Sequence, residues 1–300
     1  MTKLLLVHPL FLSKSPEEKA AGSPYFPLGL LYLASYVREN GHEVAVFDGT
    51  FEEDETAFVR CLEQEKPDVV GISAVLPTRD MALKLADLTW EANLPVIMGG
   101  PDATRDPVSY LSQPEVDIVV HHEGEQTMVA LLDLMADGHM LNPIFLKHEL
   151  GIGYRDSYGG PMVTDPRPPI ENLDTLPVPA RDLIDMNRYL DTWKQERGYT
   201  SMTISTTRGC PYGCDWCADA VHGQSFRQRS PESVAKEMKM LRETFQIDRL
   251  RVVDDVDGIE RDWIEDWAAA AEKLDAVIPF EALNKLERMD LPMLDVRDDL

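Results

Sequence analysis

Short apolar runs alternate with amphipathic stretches through the first 140 residues. Leu4–His8, Val44–Asp48, Val69–Ser73, Val96–Gly99 and Ile118–His121 are mostly apolar and often β-branched. That is the pattern of parallel strands buried on both faces. Between them, Leu28–Asn40, Thr56–Lys66, Thr78–Ala92 and Glu125–Asp137 carry apolar residues at helical spacing. Asn40-Gly41 and Asp137-Gly138 supply the glycine that commonly ends a helix. Asp106–Ser112 is short for a crossover helix. Five βα units of this kind predict an α/β fold, a doubly wound flavodoxin-like sheet with helices on both faces.

The rhythm breaks over residues 141–199, where glycine and proline recur. Ile152, Tyr154, Leu173, Leu176, Leu183, Ile184, Tyr189 and Trp193 give this stretch enough apolar weight to pack, so an ordered linker is expected, with a hairpin around Tyr158-Gly159-Gly160-Pro161. From residue 200 the βα rhythm returns. Strands are expected at Ser201–Thr206, Arg249–Val253 and Ile278–Leu283, and helices at Pro231–Phe245 and Trp263–Leu274. Ser230 is a good N-cap with Pro231 at the first helical position. The expected division is a first domain over 1–140, a linker over 141–199 and a second domain over 200–300. No internal repeat is visible.

Composition narrows the partners. Lys+Arg number 29 against 53 Asp+Glu, a formal charge of −24, and the isoelectric point is near 4.6. A chain this acidic is not built to neutralise nucleic-acid phosphates or to dock on anionic lipid. No apolar run approaches the ~18 residues of a membrane-spanning helix. The opening residues, Met1 to Pro9, read as a first strand rather than a signal peptide. Four cysteines in 300 residues are too few for a disulfide scaffold. Three of them crowd into residues 210–217, which points to metal or redox chemistry in a reducing cytoplasm.

Ligands of open parallel sheets sit beyond the carboxyl ends of the strands. Here those ends read His8-Pro9-Leu10, Ser73 to Thr78, Gly99 to Thr104 and His121 to Thr127. Paired glycines let backbone approach a flat ligand closely, and Ser73, Thr78, Thr104 and Thr127 add hydroxyls; plain turn and cap chemistry explains each of these taken singly. No G-x-G-x-x-G follows the first strand and no P-loop is present, which disfavours NAD. His121 and His122 are possible metal ligands, but neighbours at a strand end point in opposite directions, and hydrogen-bonding roles suit them better.

The strongest chemical signal is Cys210, Cys214 and Cys217 in the pattern Cys-x3-Cys-x-Trp-Cys, directly after a strand. A structural zinc site closes with four ligands; His222 is the candidate fourth. A [4Fe–4S] cluster held by three cysteines instead leaves one iron open. Cys61, alone on a helix of the first domain, reads as a buried apolar residue.

The cysteine pattern resembles the signature of the radical S-adenosylmethionine (SAM) enzymes. Phe26–Val44, Gly99-Gly100-Pro101, His122-Glu123-Gly124-Glu125, Leu173–Arg181 and Arg227–Glu232 resemble, in order, segments of the cobalamin-binding subgroup. That subgroup includes the anaerobic magnesium-protoporphyrin monomethyl ester oxidative cyclase and many methyltransferases.

The resemblance implies three cofactors. The [4Fe–4S] cluster would be held by Cys210, Cys214 and Cys217, with its open iron binding SAM for one-electron cleavage. Cobalamin would lie against His8, Pro9, Leu28, Gly29, Ser73, Gly99, Gly100, Glu123, Gly124 and Glu125. No axial histidine is expected, because Asp-x-His-x-x-Gly is absent. Tyr212 and Trp216 would shield the cluster and pack on adenine, unless they are ordinary core aromatics. Asp254 and Asp255 would face the ammonium of SAM, unless they serve as a helix cap. Arg208, Arg227 and Arg229 would hold its carboxylate or simply balance an acidic surface. Relatives often have histidine where this chain has Asp102.

The implied activity is a cobalamin-dependent radical SAM enzyme acting on an unactivated C–H bond of a small molecule, by methyl transfer or oxidative cyclisation. Its electrons would come from a one-electron reductant such as flavodoxin or ferredoxin. The barrel of that family has about six βα units and this sequence supplies about three, so a fragment of a longer protein or a natural truncation is expected. Two other readings stay open: a non-catalytic cobalamin-binding module with a structural metal, and a flavodoxin-like FMN binder.

Overall fold

The computed structural model describes residues 1–215, 217, 221–256 and 260–284. Its strands are β1 (Lys3–His8), β2 (Glu43–Asp48), β3 (Val69–Ser73), β4 (Val96–Gly99), β5 (Ile118–Val120), β6 (Ile152–Arg155), β7 (Pro161–Val163), β8 (Ser201–Ile204), β9 (Thr207–Arg208), β10 (Arg227–Gln228), β11 (Arg249–Val252) and β12 (Phe280–Glu281). The helices are α1 (Pro16–Ala21), α2 (Leu28–Glu39), α3 (Thr56–Glu65), α4 (Arg79–Glu91), α5 (Pro101–Arg105), α6 (Pro107–Leu111), α7 (Glu125–Ala136), α8 (Pro143–Leu146), α9 (Met186–Arg197), α10 (Pro231–Thr244) and α11 (Arg261–Lys273). No helix among the described residues is long and apolar enough to cross a membrane.

By its contacts the chain forms two compact units. One comprises Met1–Ala20, Gly29–Ile170 and Pro179–Ile184; the other comprises Ala21–Leu28, Glu171–Val178 and the chain from Asp185 onward. The first is built on a seven-stranded sheet in the order β2-β1-β3-β4-β5-β6-β7. Strands β1 to β5 are parallel in the 2-1-3-4-5 order of flavodoxin-like folds. Alternation along β1 explains the two-sided core. Leu5 and Val7 join Phe58, Leu62, Leu85 and Ala86 of α3 and α4. Leu4 and Leu6 join Leu30, Ala34, Leu131 and Leu132 of α2 and α7 on the opposite face. Period 2 in a strand and period 3.6 in its helices produce this split.

Three details differ from the sequence expectation. The fifth strand stops at Val120 rather than His121, because His122 takes a left-handed φ of 62°. The short fourth crossover is two helices, α5 and α6. Pro107 cannot continue α5, and Asp106 between them accepts a hydrogen bond from Ser109 N at 3.1 Å. The Pro/Gly-rich segment after residue 140 is not all linker: β6 pairs antiparallel with β5, and β7 with β6. Ile152 and Tyr154 bury into the α2/α7 core, which recruits the hairpin. Asp156 closes its turn by accepting from Tyr158 N and Gly160 N, each at 2.8 Å.

The second unit contains a three-stranded parallel sheet, β12-β11-β8. Met202, Ile204, Leu250 and Val252 are buried in its strands, and Val234, Met238, Leu241, Ile264 and Trp267 are buried in α10 and α11. Trp267 seals this layer, with its ring 5.0 Å from Phe280 and its Nε1 3.3 Å from Met238 Sδ. The third strand is shorter than expected and begins only at Phe280. Pro279 has no N–H to add to a ladder, though its carbonyl accepts from Leu250 N at 2.8 Å.

Ser230 caps α10 by accepting from Ser233 N at 3.2 Å. Ser230→Ala is expected to lower stability by about 1 kcal/mol, read as a lower urea midpoint at unchanged slope. An unchanged midpoint would show the cap to be idle.

Candidate cofactor sites

The first site is assembled by the carboxyl ends of the parallel strands. His8 ends β1, Ser73 ends β3 and Gly99 ends β4, while Gly124 precedes α7 and Glu125 is buried as its first residue. Two of these ends are zipped together by backbone. Ala74 N donates to Gly99 O at 2.8 Å, and Asp102 N donates to Ala74 O at 3.1 Å. Gly100 makes that approach possible: its φ is 92°, and a Cβ there would stand 2.7 Å from Ala74 O and 2.9 Å from Ser73 Oγ. Gly99 is less constrained, since its Cβ would meet only Val120 O at 3.6 Å.

Asp102 is the organiser that sequence reasoning left without a role. Its buried carboxylate accepts from Arg79 Nε at 2.6 Å, from Arg79 Nη2 at 2.7 Å and from Tyr110 Oη at 2.6 Å. The group therefore ties α4, α5 and α6 at the site edge. The Arg79 bonds hold the Asp102 carboxyl below its usual range, and burial, then Asp102 itself, pushes the Tyr110 phenol up. Arg79 carried no sequence signal, because nothing in its spacing links it to Asp102.

The two histidines after β5 do not point apart. The turn at His122 brings the rings edge to face, with centroids 5.2 Å apart, and His122 N donates to Thr104 Oγ1 at 3.1 Å. His121 is buried; burial, reinforced by His122, lowers its pKa. Burial also lowers that of His8, against the pull of Asp48. Nε2 of each ring is enclosed and has no hydrogen-bond partner among the described residues. Glu123 accepts from Ile170 N at 3.0 Å, so one of its oxygens serves a loop tie. Pro9 is buried. Leu28 and Gly29 open α2, and nothing lies within 4 Å of where a Gly29 Cβ would be.

The second site is the cysteine loop. β9 and β10 pair antiparallel, with Arg227 opposite Arg208 and Gln228 opposite Thr207, and so close residues 209–226 into a loop. At its neck Gly209 has φ 81°, and a Cβ there would collide with the Ser225 carbonyl. Cys210 N donates to Gly223 O at 3.2 Å, and Cys217 N to Cys214 O at 3.0 Å. Cys210 and Cys214 are half-buried and Cys217 is exposed. The three thiols share the loop, yet among the described residues no three Cys, His, Asp or Glu side chains stand together as a metal-holding group. As a donor set, three thiolates on one pinned loop fit an iron–sulfur cluster. Tyr212 is half-buried; Trp216 lies outside the described residues. Cys61 packs against the α3/α4 core, and burial pushes its thiol up to about 11.

Asp254 and Arg229 brace this loop from below. Asp254, buried at the end of β11, accepts from Thr206 N at 2.8 Å, from Ser205 Oγ at 3.1 Å and from Thr206 Oγ1. The carboxylate expected to face a ligand ammonium thus grips the strand end that leads into the loop, while Asp255 is exposed. Arg229 donates to Ser205 O at 2.9 Å and to the buried Glu237 at 2.5 Å, an internal role rather than surface charge balance.

Residues 19–132 match the B12 binding domain family. A solved cobalamin-dependent S-adenosylmethionine radical enzyme, OxsB, with aqua-cobalamin and S-adenosylmethionine bound, superposes with a TM-score of 0.80 at 21% identity, covering 99% of this chain and 42% of that one. The fold is therefore that of the cobalamin-binding radical SAM proteins. An uncharacterized methyltransferase of Pyrococcus horikoshii is 33% identical over 258 residues, covering 84% of this chain and 53% of that protein. The anaerobic magnesium-protoporphyrin IX monomethyl ester cyclase of Rubrivivax gelatinosus is 27% identical over 270 residues, covering 86% and 46%. The chain carries a segment that matches the B12 binding domain and is similar over most of its length to these proteins, and it spans about half the length of the relatives it matches.

Acid should weaken the first unit in two stages. Burial makes His8 and His121 bind protons less readily than the unfolded chain, so stability falls as pH drops below the ordinary 6.5. Asp102, held below the ordinary 3.8, contributes fully above that value, and its contribution disappears as pH falls through the lowered one. Urea unfolding between about pH 8 and pH 3 tests this. His121→Gln should flatten the upper stage and Asp102→Asn the lower. Tyr110→Phe should cost about 1.5 kcal/mol at neutral pH. Profiles that none of these substitutions alters would contradict the assignment.

Proposed function

We propose that this chain is a cobalamin-dependent radical SAM enzyme, or the cofactor-binding part of one, acting on an unactivated C–H bond of a small molecule. The observation that carries the reading is the Cys210–Cys214–Cys217 loop, closed by β9 and β10 directly after β8, in a chain that also bears a B12-binding domain. Methyl transfer is favoured by the similarity to the uncharacterized methyltransferase of Pyrococcus horikoshii; oxidative cyclisation is the second outcome, supported by the similarity to the cyclase of Rubrivivax gelatinosus.

In this reading Cys210, Cys214 and Cys217 hold a [4Fe–4S] cluster. When bound, the cluster would supply one-electron reduction of SAM and cobalamin would supply methyl transfer or assist oxidation. The protein's part is placement. Asp254 and Arg229 set the strand end from which the loop departs. Gly209 allows the tight neck. Tyr212 would shield the cluster side, and Asp255, exposed, would meet an ammonium. In the first unit, Gly100 and Asp102 fix the strand-end loops that would hold cobalamin. The half-buried His8 and the buried His121 would offer hydrogen-bond groups there rather than an axial ligand. The reductant is a flavodoxin or ferredoxin, and the compartment is the cytoplasm.

Anaerobic reconstitution should give about four irons per chain. Cys214→Ala should abolish iron uptake, while Cys61→Ala leaves it unchanged. Zinc without iron would instead support a structural-metal module. The cob(II)alamin-loaded protein should show no nitrogen superhyperfine splitting from the chain in its electron paramagnetic resonance spectrum. Splitting that vanishes in a His8, His121 or His122 variant would refute the histidine-free reading.

A further inference from the structure

The neck of the cysteine loop encloses two polar atoms that the protein leaves unused. Thr207 and Gln228 are directly opposed across the β9–β10 pair. Their side chains therefore share one face of the hairpin, with Cβ atoms ~5 Å apart. Thr207 is buried and Gln228 half-buried. Thr207 Oγ1 and Gln228 Oε1 are both enclosed, and neither has a hydrogen-bond partner among the described residues. They do not bond to each other. A buried hydroxyl and a buried amide oxygen left over on facing positions are uncommon and call for a partner from outside the chain.

Their positions are held firmly. Thr207 O accepts from Ser205 Oγ at 2.9 Å, and Arg229 N, next to Gln228, donates to Thr206 O at 2.9 Å. Asp254 fixes Thr206 itself through its backbone N–H and its hydroxyl. The carboxylate that sequence reasoning assigned to the ligand is thus engaged with the strand end, while the next residue along, Thr207, has a spare hydroxyl. Cys210 follows three positions later. The chemistry of the pair is specific. An amide oxygen only accepts, and a hydroxyl can accept at the same time, so the missing group carries N–H or O–H donors. A carboxylate does not fit beside the amide oxygen.

We propose that Thr207 and Gln228 bind SAM through its donor groups, either the methionyl ammonium or the ribose hydroxyls. This rests on the radical SAM reading above. The test uses the full chain, reconstituted anaerobically with iron and sulfide. Thr207→Val and Gln228→Met remove the polar atoms at nearly constant shape. Each is expected to raise the SAM dissociation constant, read by equilibrium dialysis, about 3- to 10-fold. Iron content should not change, and the unfolding midpoint of the SAM-free protein should hold or rise, because an unpaired buried group has been replaced by an apolar one. Competition identifies the contact. A selective loss of 5′-methylthioadenosine binding assigns it to the ribose, and a selective loss of L-methionine binding assigns it to the ammonium. Equal SAM affinity in wild type and both variants overturns the inference while leaving the radical SAM reading intact. A lowered unfolding midpoint in both variants also overturns it, by showing that the pair serves the fold. A wild type that takes up neither iron nor SAM refutes the reading and the inference together.

Discussion

Parallel strands joined by helical crossovers must all end on the same edge of their sheet, and the first unit depends on that constraint. β1, β3, β4 and β5 each run into the edge where His8, Ser73, Gly99 and the His121-His122 turn emerge. Residues more than a hundred positions apart in sequence are gathered there without contact between them having to be encoded. What must be encoded is coverage. Every second residue of β1 faces one helix layer and the alternate residues face the other, so an interruption in Leu4–Val7 would expose a core on one side or the other.

Two buried aspartates perform similar work in the two units. Asp102 joins three helices around the β4 end, using a forked guanidinium and a phenol. Asp254 joins the β11 end to the Ser205–Thr206 segment, using two hydroxyls and a backbone amide. In each case a carboxylate withdrawn from water is matched by several donors, the condition under which a buried charge is tolerated. Both sit at strand ends, where the backbone leaves its ladder and has groups to satisfy. The result is that loops, ordinarily the mobile parts of such folds, begin from fixed points.

The cysteine loop is closed by very little regular structure. A two-residue antiparallel pair and one glycine in a left-handed conformation close it. The three thiols share that loop, and among the described residues no three Cys, His, Asp or Glu side chains stand together as a metal-holding group.

Periodicity alone determined most of the elements: β3 and β4 fall on the expected residues, and the helices differ by a residue or two at their ends. Ser230-Pro231 marked its helix correctly because a cap is a local interaction. The Cys-x3-Cys-x-Trp-Cys spacing is likewise readable along the chain, since the order of residues on one loop is a local property. Recruitment of Ile152–Val163 into the first sheet was not, because strand pairing is decided by a free sheet edge that only the folded unit presents. Nor were the partners of Asp102, Asp254 and Arg229. The geometry of Arg79 against Asp102, 23 residues away, and of Thr206 against Asp254, 48 residues away, exists only once the strands are in register. The same holds for the His121-His122 pair, whose rings meet because a single backbone angle breaks the alternation that the strand pattern implies. Local chemistry is carried by neighbouring residues and can be read along the chain; the pairing of buried charges is set by packing, and packing belongs to the tertiary structure.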